Sequence, residues 1–530
     1  MKRILIILCI LPLCCLAQRT PRHAGTDPTL QLQKFNQFYR YLNGAYVDTI
    51  NNERLIEDAI KKILSELDPH SAYVSAEDMV PVEESFQGSF SGIGVEFNVL
   101  NDTLLVVNTV AGGPSEKVGV LPNDRIVAVD GESVIGIKQA RVPKVLRGPK
   151  GSVVEIEVLR RGETTPISFR ITRDDIPINT VDAAYKIDDK TGYIKVNRFA
   201  ATTMKEVEEA FGKMGEIDAL ILDLRGNGGG FLDQAVKLGN FFLPEGATIV
   251  STEGRLVPPE RFSARADGAY RKGKVVVLID ESSASASEIV AGAIQDWDRG
   301  VVIGRRSFGK GLVQRQFPLI DGSAVRITVA RYHTPTGRVI QRPFEKGNQQ
   351  AYYEAFAKRF ENGTDSLKAV DSLRYTTLRS GRPVYGGGGI YPDIYVPLDT
   401  TGYSQYWSKL VRRGVISEFV IQYLDKHRAE LQRAYPTFEK FQSSFTVTPE
   451  MLQQLVALGE KRDVSPDPAG LKTSEQAIAL QIKALIAQKM WNMTEYFRII
   501  NSENDPELER ALDVLRNWDK TPETDGIGDI

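Results

Sequence analysis

The stretch that constrains this chain most runs from Lys274 to Gln314. Val275-Val276-Val277-Leu278-Ile279 is a continuous apolar run rich in β-branched residues, the pattern of a strand buried on both faces. Asp280-Glu281-Ser282 breaks it. Ser283-Ala284-Ser285-Ala286-Ser287-Glu288 follows, and Ile289, Val290, Ala293 and Ile294 then recur at helical spacing. A buried strand, a tight turn and a helix opening on small residues set hydroxyls beside unpaired backbone N–H groups. The dipole and the free amides of such a helix start both favour negative charge. A hydroxyl that attacks a carbonyl and leaves an oxyanion behind needs such a place.

The second half of the stretch supplies a base. Val301-Val302-Ile303 reads as a short buried strand, Phe308-Gly309-Lys310-Gly311 sets a lysine between glycines, and Leu312 to Phe317 returns as a strand carrying Gln314. A lysine in a glycine loop among apolar strands is readily desolvated, which favours its neutral form. A neutral amine can take a proton from a serine hydroxyl, so a Ser–Lys pair can replace Ser–His–Asp. The four histidines, His23, His70, His333 and His427, follow no Gly-x-Ser-x-Gly elbow and have no partner spaced for a metal. No metal site and no cofactor are expected.

Ser282, Ser283 and Ser287 compete with Ser285. Ser283 reads as the N-cap of the helix, Ser287 as bonded into its first turn, and Glu288 as bonded near the helix start. Ser307-Phe308-Gly309-Lys310 also matches Ser-x-x-Lys, which works on a helix; Gly309 and Gly311 oppose a helix there. Lys190-Thr191-Gly192 precedes that serine instead of following it, so the penicillin-binding pattern is rejected.

Ser283 to Ile289, Phe308-Gly309-Lys310-Gly311 and Gln314 together resemble the active-site signature of the C-terminal processing peptidases, or tail-specific proteases. In that family the nucleophile is the middle serine of the small-residue run, the lysine follows 25 residues later and an orienting glutamine four after that, which here are Ser285, Lys310 and Gln314. The resemblance implies a PDZ-containing serine endopeptidase acting through an acyl-enzyme. It also implies a crotonase-like α/β core of the kind shared with ClpP. A catalytically silent peptide-binding scaffold of the same fold is the alternative, and a coenzyme-A enzyme of crotonase type a weaker one.

The rest of the chain arranges itself around that core. Residues 18–30 are polar with Pro21 and Pro28 and read as a linker, and residues 31–87 carry two helical patterns ending at Asp68-Pro69-His70-Ser71. Residues 88–174 change to short strands with turn signals. Their order resembles a bacterial PDZ domain, whose carboxylate loop would be Gly92-Ile93-Gly94-Val95. Asn123 stands where that pattern has glycine, and asparagine tolerates the left-handed turn. Residues 175–400 are the α/β part, with βαβ repeats that suggest a mostly parallel sheet. There, Ala219 to Leu224 empties into Arg225-Gly226-Asn227-Gly228-Gly229-Gly230. That cluster lacks the ending of a phosphate-binding P-loop. The resemblance makes Gly229, with Gly230 close behind, one oxyanion donor and the Ala286 amide the other. Residues 401–530 are helical and charged. Thr473 with Gln476 reads as a capping box, and a homo-oligomer contact, a lid or a docking site are all open for this region.

With 530 residues, 42% hydrophobic and 25% charged, the composition is that of an ordinary globular protein, and a formal net charge of −2 points to no nucleic-acid partner. Lys2 and Arg3, the apolar Ile4 to Leu13 and Cys15-Leu16-Ala17 form a secretory signal pattern over residues 1–17, so export to the periplasm or another extracytoplasmic space is expected. All three cysteines, Cys9, Cys14 and Cys15, lie inside it, and an acylated lipoprotein cysteine ranks second. No later apolar run has the length to span a bilayer. The expected partners are polypeptides with free C-termini.

Overall fold

The computed structural model of the protein describes residues 27–100, 102–359, 373–503 and 505–521. The export pattern, its cysteines, His23 and residues 522–530 lie outside them. The chain divides into two compact units, one ending at Ile63 and one spanning Leu64–Ile530.

The first unit holds the helix Pro28–Ala45 and most of the helix Asn52–Ser65. Asp27 caps the first by accepting the Thr29 amide at 2.9 Å, and Pro28 occupies its first turn. The helix therefore begins inside the stretch expected to be linker. Proline there costs nothing, because its missing N–H would have had no partner. The residues of this helix bury none of their surface fully.

In the second unit, Ser75 caps the helix Ala76–Gln87, which stops at Gly88 with φ 78°. A sheet in the order Val95–Leu100, Thr103–Thr109, Arg125–Val129, Val153–Leu159, Ile167–Thr172 follows. Leu104, Val106, Ile126, Val154 and Ile156 close it over Val142 and Leu146 of the helix Val142–Leu146. Asn123 takes φ 75°, the left-handed geometry anticipated for it. Val95–Leu100 is an edge strand. Among the described residues the amides of Ile93 and Gly94, just before it, donate to no backbone carbonyl. The sheet is held against the C-terminal helices by an Arg125–Asp425 ion pair at 2.9 Å and by Arg428, which donates to the Val107 carbonyl at 3.2 Å.

The core sheet has strands β1 (Val181–Lys186), β2 (Thr191–Val196), β3 (Ala219–Asp223), β4 (Lys274–Ile279) and β5 (Val301–Gly304). Beside it an antiparallel hairpin pairs β6 (Leu312–Pro318) with β7 (Ala324–His333). The last core strand, β8, is Ile394–Tyr395. The order is β1-β2-β3-β4-β5-β8, antiparallel only at β1–β2. The apolar runs of β2 to β5 alternate between two cores, as a sheet buried on both faces requires. Ile194, Leu222, Val277 and Val302 pack under helices α1 (Thr203–Met214), α2 (Leu232–Phe242) and α3 (Ala286–Asp296). Tyr193, Ile221, Val276, Leu278 and Ile303 face the other way.

That second face is covered from the far end of the chain. The C-terminal helices, with their own core around Phe441, Leu455 and Ile482, end in α4 (Pro468–Met490), α5 (Met493–Glu503) and α6 (Pro506–Arg516). Leu508, Ala511, Val514 and Leu515 of α6 close the face opposite α1–α3. Helix α4 corrects one expectation. It starts at Pro468 under an Asp467 cap, and Thr473 lies inside it, its hydroxyl donating to the Ala469 carbonyl at 3.1 Å. The Pro–Asp signal overrides the capping box, which survives only as a kink at Ser474 (φ −110°, ψ 15°).

Candidate active site

Ser285 is itself the cap of α3, held at φ 55° and ψ −111°. A non-glycine residue in that region is strained and is kept there by its surroundings. The role expected of Ser283 thus belongs to Ser285. Ser283 is fully buried and donates to the Leu224 carbonyl at 2.9 Å, and the Ser287 hydroxyl donates to the Asn227 carbonyl at 2.9 Å. Both flanking serines tie the Ser285 turn to the glycine loop after β3, and Ser285 alone of the three keeps solvent exposure.

Glu288, fully buried one turn into α3, joins this turn to the lysine loop. Its Oε2 accepts the Ser285 amide at 2.7 Å and the Lys310 amide at 2.9 Å; its Oε1 accepts the Ser307 hydroxyl at 2.5 Å and the Gly309 amide at 2.7 Å. Burial pushes its carboxyl pKa up, and those four donors oppose the shift. On the opposite side the buried Tyr332 hydroxyl of β7 contacts the carbonyl oxygens of Ser285, at 3.2 Å, and of Lys310. The backbones of Ser285 and Lys310 are therefore fastened to each other at both their N–H and C=O groups. The sequence assigned Glu288 only to the helix start and did not single out Tyr332.

Burial lowers the Lys310 pKa, the Glu288 charge raises it, and Arg326 lowers it again. Gly309, at φ 88°, leaves no room for a side chain: a Cβ there would lie 2.4 Å from Arg342 Cγ. Ser307, the rival nucleophile, is fully buried, accepts the Ile390 amide at 2.6 Å and stands in a loop, not a helix. Gln314 on β6 donates to Thr328 Oγ1 at 3.2 Å, and Thr328 donates to Asp68 at 3.1 Å. Among the described residues no hydrogen bond joins Gln314 to Lys310. The Asp68 turn also brings in His70, which the sequence weighs and sets aside both as a hydrolase base and as a metal ligand. Burial, then the Lys310 charge, pushes its pKa down to about 4, and its Nε2 lies 3.3 Å from the Tyr352 hydroxyl. The Asp68-Pro69-His70-Ser71 turn was the signal available for it.

Gly229, at φ 99°, approaches Ser285 so closely that a Cβ would lie 2.8 Å from Ser285 Cβ and 3.0 Å from the Ala286 nitrogen. Its own amide already donates to Asn227 Oδ1 at 2.9 Å. Among the described residues neither the Gly230 nor the Ala286 amide donates to a backbone carbonyl. The loop thus meets Ser285 at Gly229, and among the described residues the Gly230 N–H donates to no backbone carbonyl.

Residues 190–347 match the model of peptidase family S41 and 91–171 that of the PDZ domain. Residues 16–78 match the activating protease CtpB N-terminal domain, and 406–492 a family of unknown function, DUF8443. The chain is 37% identical over 318 residues to a carboxy-terminal-processing protease of Bartonella bacilliformis, covering 59% of this chain and 73% of the relative. It is 34% identical over 331 residues to the carboxy-terminal processing protease CtpA of Bacillus subtilis, covering 62% and 70%. A solved photosystem II D1 C-terminal processing protease is similar at 31% identity over 58% of this chain and 83% of that one, with a TM-score of 0.34. The chain belongs to the carboxy-terminal processing proteases of peptidase family S41 and is a PDZ-containing serine-type peptidase.

Proposed function

We propose that the chain is an exported endopeptidase that takes substrates by their C-terminal tails and cuts them through Ser285 and Lys310. The neutral Lys310 amine receives the Ser285 hydroxyl proton as Oγ attacks the scissile carbonyl. The oxyanion lies at the start of α3, where the Ala286 amide and the Gly229–Gly230 turn meet it, Gly230 offering the uncommitted N–H. Lys310 then protonates the leaving amine, and a water deprotonated by the same amine releases the acyl group. Gln314 acts through Thr328 and the Asp68 turn, bracing the wall beside the lysine. The amides of Gly92, Ile93, Gly94 and Val95 take the tail carboxylate, and the tail adds to the Val95–Leu100 edge.

The observation that carries this reading is the shared Glu288 oxygen, which sets the Ser285 and Lys310 main chains side by side. A silent scaffold has no use for a buried carboxylate spent on that alignment. Export rests on the charged and apolar pattern of residues 1–17, and no described helix is long and apolar enough to cross a membrane. The test is cleavage of an unstructured polypeptide by the wild type and by Ser285→Ala and Lys310→Ala. Each variant is expected to lose roughly 10⁴- to 10⁶-fold, and the double variant little more. Absence of cleavage by the wild type would return the chain to the scaffold reading, and cleavage by Ser285→Ala at the rate of an active wild type would remove Ser285 from the site.

A further inference from the structure

A cavity of about 1270 Å3 lies between the α/β core and the C-terminal helices. All five parallel strands feed it from their carboxyl ends: Lys195 from β2, Gly226 beyond β3, Asp280 beyond β4, Arg305 beyond β5 and Pro397 beyond β8. Open α/β sheets bind ligands at this place. The facing wall comes from the helices, with Leu480 of α4, Phe497 and Asn501 of α5 and the exposed Thr446. Ser285 and Lys310 do not line it.

The lining chemistry narrows the occupant. Every cation in the wall is already paired. Arg225 holds Asp505 through two contacts of 2.7 Å, Arg305 holds Glu281 at 2.7 Å and pairs with Glu507, Lys195 sits 3.2 Å from Asp223, and Lys483 2.8 Å from Glu503. Asp280 is spent on the amides of Gly226, Ser282 and Ser283. Nothing is left over to hold a phosphate or a free carboxylate. What remains is apolar surface, amide and hydroxyl groups, and one exposed stretch of main chain. That stretch is Pro397 to Thr400, which continues from the edge strand β8. Among the described residues the amides of Leu398, Asp399 and Thr400 donate to no backbone carbonyl. An unpaired edge beside apolar pockets recognises an extended peptide by strand addition.

Three segments of chain link the cavity wall to the candidate site. Gly226, Asp280 and Arg305 in its wall open the three loops that carry Gly229–Gly230, Ser285 and Lys310 respectively. We propose that this cavity is an exosite for an unfolded stretch of the polypeptide substrate, held between Pro397–Thr400 and helices α4 and α5. The proposal rests on the peptidase reading above. An exosite one loop away from the nucleophile raises the local concentration of a long chain and does nothing for a short one.

Two measurements test it. The exposed positions Leu398→Glu and Thr446→Trp charge and fill the cavity, and their kinetics are compared on an unstructured polypeptide and on a short fluorogenic peptide. The expected result is a KM raised roughly tenfold or more for the polypeptide alone. An equal effect on both substrates, or none on the polypeptide, overturns the exosite. The second measurement needs no catalysis: Thr446→p-benzoylphenylalanine in the Ser285→Ala chain is irradiated with the same polypeptide. A crosslink competed by excess polypeptide, and not by a short tail peptide, supports the proposal; absence of a crosslink refutes it. Failure of the wild type to cut either substrate would sink the peptidase reading while the crosslink still decides the exosite.

Discussion

Glu288 is where a single atom change tests the site most sharply. Its carboxylate accepts four hydrogen bonds, two per oxygen. Glutamine keeps one acceptor oxygen and places an NH2 where the other stood. The Ser307 hydroxyl can turn and accept from that NH2, but the Gly309 amide cannot. In Glu288→Gln the oxygen therefore stays with Ser285 and Lys310, and one buried N–H is orphaned at a cost of about 1–3 kcal/mol. In Glu288→Ala both pairs are released, and a displacement of about 1 Å between nucleophile and base lowers turnover roughly 10²-fold. The two variants also separate charge from position. The Glu288 charge raises the Lys310 pKa against burial. Its loss lets the amine shed its proton at lower pH. Because the neutral amine is the active form, the acid limb of the pH–kcat/KM profile moves to lower pH in Glu288→Gln. The assay is hydrolysis of a fluorogenic peptide across a pH series, with urea unfolding to record stability. An acid limb that stays in place or moves up, or a fully active alanine variant, would refute the clamp.

Other outcomes follow from the same geometry. A peptide with a free apolar C-terminus should be cut faster than its amidated twin, since the Ile93 and Gly94 amides have a carboxylate to hold only in the first; equal rates would remove tail recognition. Asp505→Ala removes one of three carboxylates around the buried Arg225, which keeps Asp223 and Glu507, and should destabilise the protein by about 1–3 kcal/mol, read as a lower urea midpoint. His70, neutral in the fold down to about 4 against an ordinary 6.5, binds its proton more readily when unfolded. Stability should therefore fall as pH drops through that window, by about 1–3 kcal/mol given the partial exposure of the ring. The drop should shrink in His70→Asn when unfolding is compared at the two ends of the window.

The sequence placed the strand, turn and helix from Lys274 to Ile294 because a buried apolar run and a helical repeat are local patterns. It also isolated Ser285 and Lys310. It missed what depends on partners distant in the chain. That Ser285 caps α3 at positive φ follows from the Glu288 and Tyr332 contacts, and no spacing announces them. The Gly229 amide looked like a free donor because the Asn227 side chain that occupies it points back along its own loop. His70 comes within reach of Lys310 only through the packing of the Asp68 turn against β7. Helix α6 reads as an ordinary amphipathic segment, and its repeat would look the same whatever surface it covered.

The position of α6 has a consequence for when this peptidase can exist. One face of the core sheet stays open until residues 508–518 have been made, and Arg225 and Arg305 lack their C-terminal carboxylate partners until Asp505, the cap of α6, and Glu507 arrive. These partners lie 280 and 202 residues apart in the chain, and pairings of such separation form late. Until then Arg225, at the root of the glycine loop, has only Asp223, and Arg305, at the root of the lysine loop, only Glu281. A growing chain thus carries Ser285 and Lys310 before the second face of the core sheet is covered.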